Sequence, residues 1–283
     1  MRFIILAAFL LTSATGTAVA QSKAAPAAGG CGEVVTIATH GSSTTRYALA
    51  QAQGSRIALV LLVGGGGNLS LDDKGCPRAL KGNSLVRSLP HFHVAGFGTA
   101  LVDAPSDYTG NDGLAGFRIA PQHADDLGKV IVDVRTRTNV SIWLVGHSRG
   151  TISAANAAAR LSGPFAPDGV VLMSAMMSGE ARARKPLATQ TVFDLPLEAI
   201  KIPVLVVGHA ADNCVRSPVE IMDKIAARTQ NARRQVVTVT GGPIAPGRAP
   251  SLSACEVREP HDYVDQEAEV AAGIARFIRG GNY

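Results

Sequence analysis

Short apolar runs rich in valine, isoleucine and leucine recur along the chain, separated by segments of helical period. Glu33–Thr39 and Arg46–Ala50 read as an early hairpin. Arg56–Val63 is a continuous apolar run, the pattern of a strand covered on both faces. Gly98–Val102 is the next strand. Pro121–Thr136 sets Leu127, Val130, Ile131 and Val134 at helical spacing with polar residues between. Ser141–Val145 predicts a strand, Thr151–Leu161 an alanine-rich helix, and Gly169–Met173 another strand. Pro203–Gly208 follows as a strand and Pro218–Thr229 as a helix. Gln235–Thr240 is the last strand and Asp265–Ile278 the last helix. Alternation of this kind predicts an α/β sheet with parallel crossovers. With no internal repeat and no splitting linker, residues 31–283 read as a single domain.

The first twenty residues stand outside this pattern. Met1-Arg2 is a short positive start, Phe3–Leu11 is unbroken and apolar, and Ala18-Val19-Ala20 is an A-x-A cleavage site. That is the layout of a secretory signal peptide over residues 1–20, and the run is too short for a membrane anchor. Residues 21–30 are small and proline-containing, and read as a flexible leader. The expected mature chain has no membrane span and is periplasmic or secreted. Cys31, Cys76, Cys214 and Cys255 are an even set, which in an exported protein favours two disulfides with three possible connectivities. No C-x-x-C occurs, which argues against a zinc ribbon or redox dithiol.

Composition narrows the function classes. At 46% hydrophobic and 17% charged residues, a 283-residue chain can bury a sizeable core. The net charge of +5 is spread along the chain with no run of five basic residues, so a nucleic-acid arm is not expected. Aromatics at 5% supply few stacking platforms for single strands. His91 and His93 alternate like metal ligands on a strand, but no third ligand cluster accompanies them. The run Gly64–Gly67 lacks the lysine of a phosphate loop and the spacing of a dinucleotide fingerprint. No metal and no cofactor is expected.

Gly146-His147-Ser148-Arg149-Gly150 matches G-x-S-x-G. An apolar strand, Ile142–Val145, runs in and an alanine-rich helix runs out, which is the context that gives this short pattern meaning. A turn this sharp needs side chains of hydrogen at 146 and 150, and it lifts the serine hydroxyl above the carboxyl edge of the sheet beside a helix N-terminus. The plainer alternative for Ser148 is a helix N-cap.

On these residues the chain, from about Val34 to Ile278, resembles the α/β-hydrolase family. The resemblance implies a mostly parallel central sheet with helices on both faces and a triad in the order serine, acid, histidine. His261, in Glu259-Pro260-His261-Asp262-Tyr263, is the histidine after the last strand, with His209 as competitor. The expected acid is Asp212, in a G-x-x-x-D turn starting at Gly208; a turn aspartate capping a helix at Ser217-Pro218 is the alternative. The expected oxyanion donors are the N–H groups of Arg149 and of Gly65 or Gly66, in a loop with Gly64 where the family often has histidine. The Arg149 side chain is read either as a partner for a substrate carboxylate or as half of a structural ion pair to Asp103 or Asp125. If Asp212 and His261 meet at one sheet edge, their loops converge, which implies Cys214–Cys255 and leaves Cys31 with Cys76.

The resemblance therefore implies an exported serine hydrolase acting on a small ester, thioester or amide through an acyl-enzyme on Ser148. Residues 174–202 carry charges at Glu180–Lys185 and no wide apolar face, so no large cap is expected. Acyl transfer, carbon–carbon hydrolysis and a non-catalytic binding role remain as alternatives, because a fold does not fix a reaction. The acyl group and the oligomeric state are left open.

Overall fold

A computed structural model describes residues 31–229, 233–244 and 247–283. The expected signal peptide and leader lie outside the described residues. Among them, eight strands form one sheet in the order β1-β2-β4-β3-β5-β6-β7-β8. The strands are β1 Glu33–Ala38, β2 Thr44–Ala50, β3 Ile57–Leu62, β4 Gly98–Val102, β5 Ser141–His147, β6 Gly169–Met173, β7 Val204–His209 and β8 Arg234–Val239. β1 and β2 are the expected hairpin, and β2 meets β4 antiparallel. Every pairing from β4 through β3 to β8 is parallel.

The helices are α1 Ser84–Val94, α2 Pro121–Thr138, α3 Gly150–Arg160, α4 Pro186–Thr189, α5 Asp223–Arg228 and α6 Glu267–Ile278. The alternation of side chains along each strand explains why they cover both faces. Ala58, Val60, Leu62, Ile142, Leu144, Val170, Leu172, Val204 and Val206 pack with α2 and α3. Leu59, Leu61, Trp143, Val145, Val171, Met173, Leu205 and Val207 pack with α1 and α6. Both faces are thus out of water, as the unbroken apolar runs require, and each buried Val, Leu, Ile or Met side chain contributes about 1.5–3 kcal/mol.

Two expectations are corrected. Residues 84–94 form α1, so His91 and His93 sit on a helix and do not alternate across a strand. Pro90 inside the helix hides it from pattern reading; Asn83 caps its start by accepting from the Leu85 N–H at 3.1 Å. The segment 218–229 is not one helix. Its first turn is a 3-10 turn, Val219–Ile221, and α5 follows after Met222, whose thioether packs over Gly208. Between β6 and β7 lie α4 and two 3-10 turns, with no large cap among the described residues.

Both disulfides carry the expected pairing, Cys31–Cys76 and Cys214–Cys255. The second ties the loop after β7 to the loop before α6. Backbone bonds reinforce it: Ser251 N–H donates to Asn213 O at 2.9 Å and Val215 N–H to Ser251 O at 3.3 Å. Cross-linking residues 41 apart restricts the unfolded chain by about 4 kcal/mol on the chain-entropy account. Replacing Cys214 and Cys255 together by serine is expected to lower the melting temperature by roughly 10 °C. Calorimetry of the variant against the oxidised parent checks this; an unchanged transition would show that the hydrogen bonds alone hold the two loops.

Candidate active site

Ser148 stands between β5 and α3 with φ of 53°, in the left-handed region that costs a non-glycine residue energy. Its N–H donates to Met173 O at 2.9 Å and its carbonyl accepts from Thr151 N–H at 2.9 Å. The flanking glycines answer to space. A Cβ at Gly146 would lie 2.6 Å from the Gly150 carbonyl oxygen, and one at Gly150 would overlap the Leu62 carbonyl oxygen. The helix-cap reading of Ser148 does not hold, because α3 has Arg149 at its N-cap position and no side-chain cap.

His261 Nε2 lies 3.0 Å from Ser148 Oγ, and His261 Nδ1 lies 2.9 Å from Asp212 Oδ2. The three predicted residues therefore meet, with His261 and Asp212 buried and Ser148 partly exposed. Asp212 Oδ1 accepts the Cys214 N–H at 2.8 Å, which fixes the carboxylate in its turn. Ser217 joins them: its hydroxyl donates to Asp212 Oδ2 at 2.8 Å and lies 2.9 Å from His261 Nδ1. Having spent its one proton on Asp212, Ser217 Oγ can only accept from the ring. The ring therefore carries its proton on Nδ1 and turns the Nε2 lone pair to Ser148.

The back of the histidine is held as firmly. His147 Nε2 donates to the His261 carbonyl at 3.0 Å, and Ser174 Oγ donates to the same oxygen at 2.7 Å. His147 Nδ1 then accepts from Asn83 Nδ2 at 3.1 Å. Burial holds the His147 ring below its ordinary pKa, although the Asp262 carboxylate opposes this. Asp262 accepts the Ser84 N–H at 2.8 Å and pairs with Arg87, whose Nε also reaches Glu267 at 2.6 Å. α1 thus anchors the residue after His261. His209, the rival base, does not approach Ser148: its Nε2 bonds Gln266 Oε1 at 2.7 Å and its Nδ1 accepts the Ala211 N–H at 3.0 Å.

The N–H groups of Arg149, Gly65 and Gly66 find no acceptor among the described residues. A Cβ at Gly64 would lie 2.8 Å from Ser148 Cβ and 3.3 Å from its Oγ, so a histidine there would crowd the hydroxyl. The glycine loop is pinned from below by Arg118, which is fully buried and donates to Val63 O and Gly65 O at 3.2 Å each and to Ser153 Oγ at 2.8 Å. Ser153 in turn contacts His123 Nε2 at 2.8 Å. This second serine–histidine pair is buried and has no carboxylate on His123 Nδ1, so nothing orients the ring as a base. Sequence reading missed Arg118, Ser217, His147 as a support, Ser174 and α1, because each acts across the fold; only His147 lies in a local motif, and the motif does not show what its side chain holds. The Arg149 side chain pairs with neither Asp103 nor Asp125; Asp103 accepts instead from the Leu69 and Leu71 N–H groups.

Asp212, Cys214 and His261 are the one cluster of metal-type ligand atoms among the described residues. Cys214 is spent in a disulfide and His261 Nδ1 carries a proton, so the donor set does not fit a metal. No helix among the described residues is long and apolar enough to cross a membrane.

No protein-family model and no curated protein matches this sequence. Solved structures do match in shape. An esterase from Pyrococcus furiosus superposes with a TM-score of 0.58 at 13% identity, over 87% of this chain and 91% of that one. Dienelactone hydrolase from Anabaena variabilis gives 0.58 at 18% identity, over 88% and 97%. An α/β serine hydrolase without a lid from Xanthomonas campestris gives 0.55 at 13% identity, over 87% and 93%. At such identities the likeness concerns the fold: this chain has the α/β-hydrolase fold.

Burial, then the charges of Arg118 and His40, push His123 down to about 3. The unfolded chain takes up a proton there near pH 6.5 and the folded chain does not. This histidine therefore lowers stability as pH falls from about 6.5 toward 3, by about 1.4 kcal/mol per pH unit. In His123→Asn, the stability lost between pH 7 and pH 4.5 is expected to shrink by roughly 2.5 kcal/mol relative to the parent. Denaturant titrations at both pH values measure it; equal losses would mean the ring titrates normally.

Proposed function

We propose that this chain is an exported serine hydrolase that cleaves a small ester, thioester or amide through an acyl-enzyme on Ser148. Residues 31–283 act as one catalytic domain, delivered by a cleaved signal peptide over residues 1–20. The observation that carries the reading is the unbroken line from Ser148 Oγ to His261 Nε2 at 3.0 Å and from His261 Nδ1 to Asp212 Oδ2 at 2.9 Å. Two cystines are consistent with an oxidising compartment.

In this mechanism His261 Nε2 takes the Ser148 proton as Oγ attacks the acyl carbon. Negative charge develops on the former carbonyl oxygen. The N–H of Arg149, with that of Gly65 or Gly66, receives it; these donors find no acceptor among the described residues. His261 then protonates the leaving group, and the imidazolium in between is stabilised by Asp212. A water deprotonated by His261 releases the acid from Ser148 and restores the free serine. Ser217 and His147 do not touch the substrate. They hold the ring in the tautomer and orientation that these steps need.

Three outcomes test the reading. Ser148→Ala is expected to lose at least about 10³-fold in hydrolysis of a short p-nitrophenyl ester while keeping its melting temperature. His261→Ala should lose about as much, and the double variant little more, because the residues act as a unit. A fluorophosphonate should label the parent at Ser148. A fully active Ser148→Ala, or an unlabelled parent, would refute the proposal.

A further inference from the structure

Arg149 has no ion-pair partner among the described residues, although it follows Ser148 directly and is half-buried beside it. Burial, and then the charge of Arg216, depress its pKa, and Asp112 opposes them weakly. Asp112 itself is engaged by Lys185 Nζ, at 2.8 and 3.2 Å to its two oxygens. Arg216 belongs to the same rim. Its carbonyl accepts from Met177 and Ser178 N–H at 2.8 and 3.0 Å, and the preceding Met176 places Sδ 3.7 Å from Ser148 Oγ. The residue after it, Ser217, touches both His261 and Asp212. Arg118 lies on the other side, beneath the glycine loop, within electrostatic reach of Arg149. Of these three guanidinium groups, only Arg216 meets a carboxylate among the described residues, the exposed Glu180 at 2.8 Å.

A cationic cluster with too few counter-ions, partly out of water, is costly unless something neutralises it. The developing oxyanion does so only transiently, and it is served by backbone N–H groups. A guanidinium fork is suited to a carboxylate, which it can meet with two hydrogen bonds. We propose that Arg149, backed by Arg216, selects substrates bearing an anionic group, so that the natural substrate is an ester or amide with a free carboxylate near the scissile bond. This inference rests on the hydrolase reading for its chemistry, but the anion site it describes can be measured without turnover.

The test compares methyl hydrogen glutarate with methyl pentanoate, which match in chain length and differ in one charge on the acyl side. A second pair, 3-acetoxypropanoate and propyl acetate, puts the charge on the leaving group. In at least one pair the parent should favour the anionic ester by about tenfold or more in kcat/KM, and added salt should erode that preference. Arg149→Gln should cut the preference about tenfold, and Arg149→Lys should keep part of it. Glu180→Gln, a surface change that frees Arg216, should raise it. In parallel, calorimetry on Ser148→Ala should show salt-sensitive binding of methyl hydrogen glutarate or 3-acetoxypropanoate that the added Arg149→Gln removes. Anionic and neutral esters used equally well, or a preference unmoved by both Arg149→Gln and Glu180→Gln, would overturn the inference and leave the hydrolase reading standing. If no ester is hydrolysed and no fluorophosphonate label appears, the hydrolase reading fails. The calorimetric arm then still decides the anion site.

Discussion

The turn from β5 into α3 is the constraint on which the rest of the site depends. It brings the Gly150 backbone against the Leu62 carbonyl and the Gly146 backbone against Gly150, with no room for a methyl group at either position. Ser148 is left at a φ of 53°, strained but tied at both ends, to Met173 and to Thr151. The close approach joins β3, β5, β6 and α3 at one point. The glycine loop after β3 is therefore bound to lie over the serine, and the residues after β6 beside it. Gly64 is glycine for the same reason: Ser148 Cβ, 2.8 Å from where a Cβ at 64 would lie, occupies the space a side chain would need.

Around this point buried polar groups are linked donor to acceptor in a fixed order. Ser217 can give its proton only to Asp212, so the His261 ring must donate from Nδ1. His147 must donate to the His261 carbonyl, so it accepts from Asn83, and burial lowers its pKa. Each assignment follows from the last, and a single wrong tautomer would leave a buried donor facing a donor. Such networks are costly when half-satisfied, which ties the geometry of the proposed base to residues on four separate elements.

Charge is arranged differently. On the α1 side, Arg87 pairs with Asp262 and Glu267, and the ion pairs clamp the base loop to the helix. On the side of the glycine loop, Arg118 is buried among carbonyl oxygens and a serine hydroxyl, and Arg149 has no ion-pair partner among the described residues. One side of the proposed active site is thus electrically closed and the other is open to an anion.

How much of this was legible in the sequence follows from the range of the forces involved. Strand and helix periods are local, and burial on both faces writes itself as unbroken apolar runs; β4 and β6 were read to the residue. The elbow is local too, since its glycines answer to atoms within a few residues and one strand away. Asp212 and His261 were legible through chain order and turn pattern, and the cysteine pairing through their convergence. α1 was not, because Pro90 and two histidines obscure its period. Ser217, Ser174, Asn83, His147 as a support, and Arg118 were not, because a hydrogen bond between residues far apart in the chain leaves no spacing to read. Nor could the sequence say whether Arg149 is paired, since that depends on where Asp103, Asp112 and Glu180 come to rest. By itself the sequence determined the layers and the turn, and its resemblance to the α/β-hydrolase family pointed to the three residues of the proposed triad. Only the tertiary structure decided the tautomers and the unbalanced charge, because both are set by neighbours that folding alone brings together.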